Sequence, residues 1–209
     1  QKIALQTIGE DTTIGGIAEL KGGKRMPKGS KLTNVQAKHP YIRVSDFDHA
    51  GGIDVSDLRY VPDEIWPQIS NYVITDNDVF LSIAGSIGIT GIIPSSLNGA
   101  NLTENACRLV PRPQLNKKYL YYFTLSKSFI DQARGATRTT AQPKLALIRI
   151  KNIHLRLPNP DAQHDIVTQL EFIQKKSSAL KALYIKKLTY LKELKLSILT
   201  QAFSESDVK

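Results

Sequence analysis

Nothing constrains this chain more than its C-terminal quarter, where Asn159-Pro160-Asp161 opens a run of about forty residues, Ala162 to Phe203, that contains no glycine and no proline. Such a run predicts one long helix. Asn159 suits the N-cap. Pro160 suits the first helical position, where its missing N–H would be unpaired in any case, and Asp161 complements the positive helix end. Stepping alternately by four and three residues through Ile166, Leu170, Ile173, Ser177, Leu180, Tyr184, Lys187, Leu191, Leu194, Ile198 and Gln201 meets an apolar side chain at eight of the eleven positions. This is the pattern of a coiled-coil seam. At 1.5 Å per residue the rod would be roughly 60 Å long. The alternative is an amphipathic helix lying along its own domain. A compact domain of this size has a radius of gyration near ~15 Å, so much of the stripe would overhang. The seam is therefore expected to need a partner. Lys175, Lys176, Lys181, Lys186, Lys192 and Lys195 mostly avoid it and read as a solvated face.

The 209 residues, 41% of them hydrophobic, suffice for one full domain and an appendage. The expected division is a head over residues 1–158, the helix over 159–204 and a short tail over 205–209. No stretch has the length of apolar sequence a membrane span requires, and Gln1 to Glu10 lacks the basic-then-apolar order of a signal peptide. Cys107 is the only cysteine, which excludes an internal disulfide and argues against a thiolate metal site; a cytoplasmic protein is expected. Its neighbours Ala106, Leu109 and Val110 make it a small core residue rather than a nucleophile. The formal charge of +9 is uneven: 20 basic side chains stand against 13 acidic ones up to Pro160, and 8 against 6 beyond it. The excess on the head fits a polyanionic partner.

Along the head, Leu20 to Lys31 is glycine-rich and basic and is expected to form a mobile cationic loop; its Gly-Lys lacks the spacing and the Ser or Thr of a phosphate-binding P-loop. Strands are expected at Tyr41 to Val44, Val79 to Gly85, Ser86 to Ile93, Ala106 to Val110 and Ala146 to Leu157. Leu115 to Asp131 has helical spacing behind a candidate cap, Asn116, and Gly135 to Lys144 reads as a polar loop. The fold class is thus mixed α/β, a twisted sheet with flanking helices, followed by the long helix.

The same residues offer no convincing catalytic constellation. The four histidines, His39, His49, His154 and His164, have no metal-ligand spacing. Pro62-Asp63-Glu64 and Pro160-Asp161 supply carboxylates, but at Glu193-Leu194-Lys195 the Glu-x-Lys spelling a magnesium nuclease would add lies within the coiled coil, where a charge pair on the helix surface explains it. Asn159-Pro160-Asp161-Ala162 lacks the second proline and the aromatic with which amino-methyltransferases hold a flipped base.

Three segments, Pro40-Tyr41-Ile42-Arg43-Val44-Ser45-Asp46-Phe47, Leu81-Ser82-Ile83-Ala84-Gly85-Ser86-Ile87-Gly88 and Leu102-Thr103-Glu104-Asn105-Ala106-Cys107-Arg108-Leu109, resemble the specificity subunits of type I restriction-modification enzymes. Gly135-Ala136-Thr137-Arg138 through Ile153, Leu155-Arg156-Leu157-Pro158 and the closing helix resemble that family's domain end and spacer helix. The resemblance spans most of residues 8 to 203 and lies in the order of the motifs. It implies a target-recognition domain followed by a conserved helix. Family members usually carry two of each, so the chain looks like a half subunit, natural or truncated. Two copies would pair isologously through antiparallel helices along Ile166, Leu170, Ile173, Leu180, Tyr184, Leu191, Leu194 and Ile198. The implied partners are double-stranded DNA, a methyltransferase (modification) subunit and a restriction subunit. S-adenosylmethionine, ATP and magnesium are expected in those subunits, and no cofactor, no metal and no catalytic residue in this chain.

Phosphate contact needs exposed cations, which makes Lys21, Lys24, Arg25 and Lys28 candidates, against the alternative of a solvated loop. Base reading needs forked donors or amides, which Arg43 with Ser45, Arg59, Arg134, Arg138, Thr139 and Gln142 supply, with Lys144 beside them. Ser82, Ser86, Asn101 and Asn105 are further donors, the two asparagines better read as turn residues. A sequence-specific DNA-recognition subunit is the leading expectation. A coiled-coil adaptor that binds no DNA, and a self-contained DNA-modifying enzyme, are the alternatives.

Overall fold

The computed structural model describes residues 9–48, 50–136 and 145–204. Contacts divide the chain into two units, Gln1–His164 and Asp165–Lys209. The described strands, in chain order, are β1 (Glu10–Thr13), β2 (Ala18–Gly22), β3 (His39–Ile42), β4 (Arg59–Val61), β5 (Val73–Ile74), β6 (Val79–Ser82), β7 (Thr90–Gly91), β8 (Ala100–Leu102), β9 (Ala106–Pro111) and β10 (His154–Leu157). The helices are α1 (Ile14–Ile17), α2 (Lys117–Thr124), α3 (Lys127–Ala136), α4 (Leu147–Lys151) and α5 (Pro160–Ser204).

The strands of the first unit form three sheets. One is antiparallel throughout, in the order β2-β9-β6-β7, and a second runs β4-β3-β8-β5, with β3 and β8 parallel. β1 and β10 make a separate antiparallel ribbon. All four residues of β6, Val79-Phe80-Leu81-Ser82, are buried. A strand covered on both faces needs such a run rather than an alternation. Phe80 stacks on Phe47 with ring centroids 4.2 Å apart. Their cluster joins Phe80 and Ala106 of the first sheet to Ile42, Ile74 and Leu102 of the second, so a shared core fastens the two sheets. A smaller cluster of Tyr41, Val61 and Ile69 lies beneath Met26, Leu32, Ile65 and Trp66.

The basic segment differs from the expected mobile loop. Lys21 and Gly22 belong to β2, and the chain beyond them is tied down: the Gly23 N–H donates to Ala106 O (3.0 Å), the Lys24 N–H to Leu102 O (2.8 Å) and the Tyr41 hydroxyl to Lys24 O (2.8 Å). A Cβ at Gly23 would stand 2.1 Å from Thr103 O. Only glycine lets the backbone approach the β8–β9 turn this closely.

The strand expected from Ala146 to Leu157 is a short helix, α4, followed by β10 from His154. Leu145, Ile150 and Ile153 are buried while Ile148 is exposed, so the apolar residues point inward at helical rather than alternating spacing. In the same way Ile14 and Ile17, three apart, both face the core from α1. A run this short satisfies either period, and packing decides.

Two expected caps are formed. The Asn116 side chain accepts from the Lys118 and Tyr119 N–H groups at 2.9 and 3.3 Å, and that of Asn159 from the Ala162 N–H at 2.9 Å. Asn116→Ala is expected to lower stability by about 1 kcal/mol, read as a lower urea midpoint at unchanged slope.

In the second unit α5 continues, and every residue from Glu171 to Ser204 is exposed. At 45 residues α5 is roughly 65 Å long. Ile173, Leu180, Tyr184, Leu191, Leu194 and Ile198 of the seam are 52–58% exposed, whereas Ile166 and Leu170 are half-buried. Leu183, Leu188, Tyr190 and Leu199, also exposed, flank the seam and widen the apolar arc beyond the stripe read from the sequence. No helix among the described residues is long and apolar enough to cross a membrane.

Candidate nucleic-acid interface

The candidate cations sort into those held by carboxylates and those left to solvent. Arg43 follows β3, and Arg59 opens β4 opposite Tyr41. The Asp46 carboxylate caps the turn at Val44–Asp46, accepting the Arg43 N–H at 2.7 Å and the Arg43 guanidinium at 2.6–3.1 Å. Arg43 Nη2 also donates to Asp57 O (2.7 Å) and Oδ2 (3.1 Å), while Arg59 Nη2 lies 2.8 Å from Asp57 Oδ1. The hydrogen bond from Arg43, aided by Arg59, holds the Asp57 carboxyl below the usual carboxylate range. Ser45 is exposed beside them, its hydroxyl 3.3 Å from Asp46 Oδ1. The structure thus brings Arg43, Ser45 and Arg59 into one cluster.

In the basic segment Lys21 pairs with Glu19 at 3.0 Å, Lys24 lies 5.4 Å above the Tyr72 ring, and Arg25 Nε donates to Glu104 Oε1 at 2.6 Å. Burial works to raise the Glu104 carboxyl, but hydrogen bonds from Arg25, its own backbone and Thr103 outweigh it, and the group stays below its ordinary range. Lys28 is exposed in the turn closed by Ser30 N–H to Pro27 O.

Ser82 ends β6, its hydroxyl donating to Ser86 O and accepting from the Ile89 N–H, so it braces the β6–β7 hairpin; Ser86 is exposed at the tip. Asn101 is not a turn residue. It lies buried in β8 and donates to Ile69 O at 2.7 Å, whereas Asn105 does sit in a turn, its carbonyl accepting from the Ile83 and Ala84 N–H groups. Arg134 is exposed in the last turn of α3, complementing the negative helix end. Arg138, Thr139, Gln142 and Lys144 lie outside the described residues, as does His49.

The carboxylates that organise these cations, Asp46, Asp57 and Glu104, were not singled out from the sequence, nor was the buried pair Asp78–Arg108. Only Arg43-Val44-Ser45-Asp46, with its i, i+3 spacing, carried a local signal. Cys107 is fully buried in β9, and burial pushes its thiol up to about 12. Among the described residues no three His, Cys, Asp or Glu side chains gather as a metal site would require.

The first unit is thus a mixed α/β fold of three sheets that carries clustered cations, and a long helix with an exposed apolar arc follows it in the chain. The model of the family described as type I restriction modification DNA specificity domain matches residues 10–190. The chain belongs to this family, which supplies a non-catalytic component of restriction-modification complexes. It is 27% identical over 163 residues to the specificity subunit of the type I restriction enzyme EcoBI from Escherichia coli, covering 78% of this chain and 34% of that one. Among solved structures it resembles a chain from a study of complex assembly and conformational transition of the type I R-M system, with TM-score 0.75 and 20% identity over 97% of this chain and 47% of the other. The HsdS subunit from Thermoanaerobacter tengcongensis follows with TM-score 0.68 and 20% identity, over 99% and 47%. The S subunit from M. genitalium gives TM-score 0.55 and 18% identity, over 99% and 49%. These likenesses establish the fold. The chain spans about a third of the curated relative's length and just under half of the solved chains.

Proposed function

We propose that this chain is a DNA-recognition component of a type I restriction-modification complex and acts in the cytoplasm. Residues 1–158 would read one part of a bipartite site, and the helix over 159–204 would pair antiparallel with a second such helix, setting the distance between the two parts. Methyltransferase and restriction subunits would dock on this scaffold, bringing S-adenosylmethionine, ATP and magnesium and performing the chemistry. The family match over residues 10–190 carries the reading, because it extends through the head and into most of the helix. The head's excess of basic side chains supports it.

Mixed with its methyltransferase partner, the chain is expected to bind DNA site-specifically. With six or more phosphates neutralised, affinity should fall about 10³-fold or more between 50 and 200 mM salt. Fluorescence anisotropy with labelled duplexes reads both properties. Binding indifferent to salt and sequence would overturn the reading in favour of an adaptor, and methylation by this chain alone in favour of a self-contained enzyme.

A further inference from the structure

Two arginines, one just after β3 and one opening the neighbouring β4, converge on one exposed carboxylate. Asp57 offers Oδ1 to Arg59 at 2.8 Å and Oδ2 to Arg43 at 3.1 Å, and its side chain is 65% exposed. The other carboxylate on Arg43 is of a different kind. Asp46 is 4% exposed and also accepts the Arg43 N–H, so it forms part of the wall and fixes the guanidinium in direction. Asp57 can leave without disturbing that wall. Its main chain is tied separately, through Arg43 Nη2 to Asp57 O at 2.7 Å, and the turn before it is closed by Asp54 Oδ1 accepting the Ser56 N–H at 2.9 Å. A rotation about the Asp57 side chain would therefore release Arg59 Nη2 and remove the Oδ2 contact from Arg43 Nη2, whose bonds to Asp46 Oδ1 and Asp57 O stay in place.

A carboxylate so exposed is held only weakly in water. The two non-bridging oxygens of a backbone phosphodiester can accept from two guanidiniums as the two oxygens of a carboxylate do, and such bonds are charge-assisted and directional. We infer that Arg43 and Arg59 form a binding site for a backbone phosphate of DNA, and that the Asp57 carboxylate occupies this site in the free protein as an internal competitor. One singly charged anion replaces another, so the pair of Arg43 with the buried Asp46 keeps its electrostatic surroundings. The cluster thereby acquires a role distinct from base reading: it sets how tightly, and at which point along the backbone, the head grips.

The inference rests on the DNA-recognition reading, and one variant separates the two. Asp57→Asn removes the competing charge while keeping shape. On duplexes the wild-type complex binds, it is expected to tighten binding by about tenfold, the effect of deleting one charge-assisted competitor. Adding Arg59→Gln should abolish the gain and lower the slope of log K against log salt by about one. Unchanged or weaker binding by a folded Asp57→Asn protein overturns the assignment. If the wild type binds no DNA, the functional reading fails, and the anion site is decided by inorganic phosphate alone. The arginine Nε–Hε NMR signals of Arg43 and Arg59 in Asp57→Asn should shift on titration with phosphate; signals that stay fixed overturn the site. Shifts with phosphate but no gain on DNA retain an anion site and overturn its assignment to DNA.

Discussion

Under the proposed pairing of two copies through α5, a chain carrying both Leu191→Glu and Leu194→Glu is expected to run as a monomer at concentrations where that pairing makes the parent a dimer. Both leucines lie on the seam face of α5, 53% and 56% exposed. Apposing two such helices would bury four new carboxylates in a symmetric pair. Each ionised group costs several kcal/mol to desolvate without a partner, so the dissociation constant should rise by about 10³-fold or more. The helix itself should persist, because glutamate is a good helix former and neither position is covered within the chain. Sedimentation velocity or light scattering reports the mass, and far-UV circular dichroism guards against trivial unfolding. An unchanged dimer would place the contact elsewhere on the chain.

The second large effect concerns stability. Asp78, 1% exposed, accepts from Arg108 Nη1 at 2.9 Å and from the Thr75 N–H at 2.8 Å, and Arg108 is itself only 15% exposed. The pair fastens the start of β6 to β9 across the Phe80–Arg108 register. Asp78→Ala leaves a guanidinium largely out of water with no anion, at an expected cost of about 3–5 kcal/mol. That is a large fraction of what a domain this size possesses. The urea midpoint should drop sharply at unchanged slope. The double variant Asp78→Leu with Arg108→Met should recover much of the loss, because the penalty belongs to the stranded charge. A single variant as stable as its parent would show that water reaches the guanidinium.

These two features also mark what could be read from the sequence. α5 was legible to its first residue because Asn159-Pro160-Asp161 is a local instruction, carried out by the Asn159 cap. β9 and α2 were legible because each run is long enough to show its period, and β6 because its unbroken apolar run suits a strand covered on both faces. α1 and α4 were not, at four and five residues. The parallel pairing of Tyr41 with Asn101 was hidden for another reason: the shared core around Phe80 selects it, and no local pattern announces a neighbour that distant. The site divides in the same way. Cations can be counted from the sequence, but their partners cannot, since Arg25 finds Glu104 79 residues away and Arg43 finds Asp57 14 away. The Arg43–Asp46 pair, three apart, is the exception that follows from a short-range rule.

Cys107 carries a practical consequence. With its thiol sealed inside β9 and its ionisation pushed up to about 12, the native protein offers maleimide and iodoacetamide reagents no reactive thiolate at neutral pH. Since it is the sole cysteine, a second one introduced on the surface would be the single attachment point for a fluorophore or spin probe, without first stripping the wild-type background.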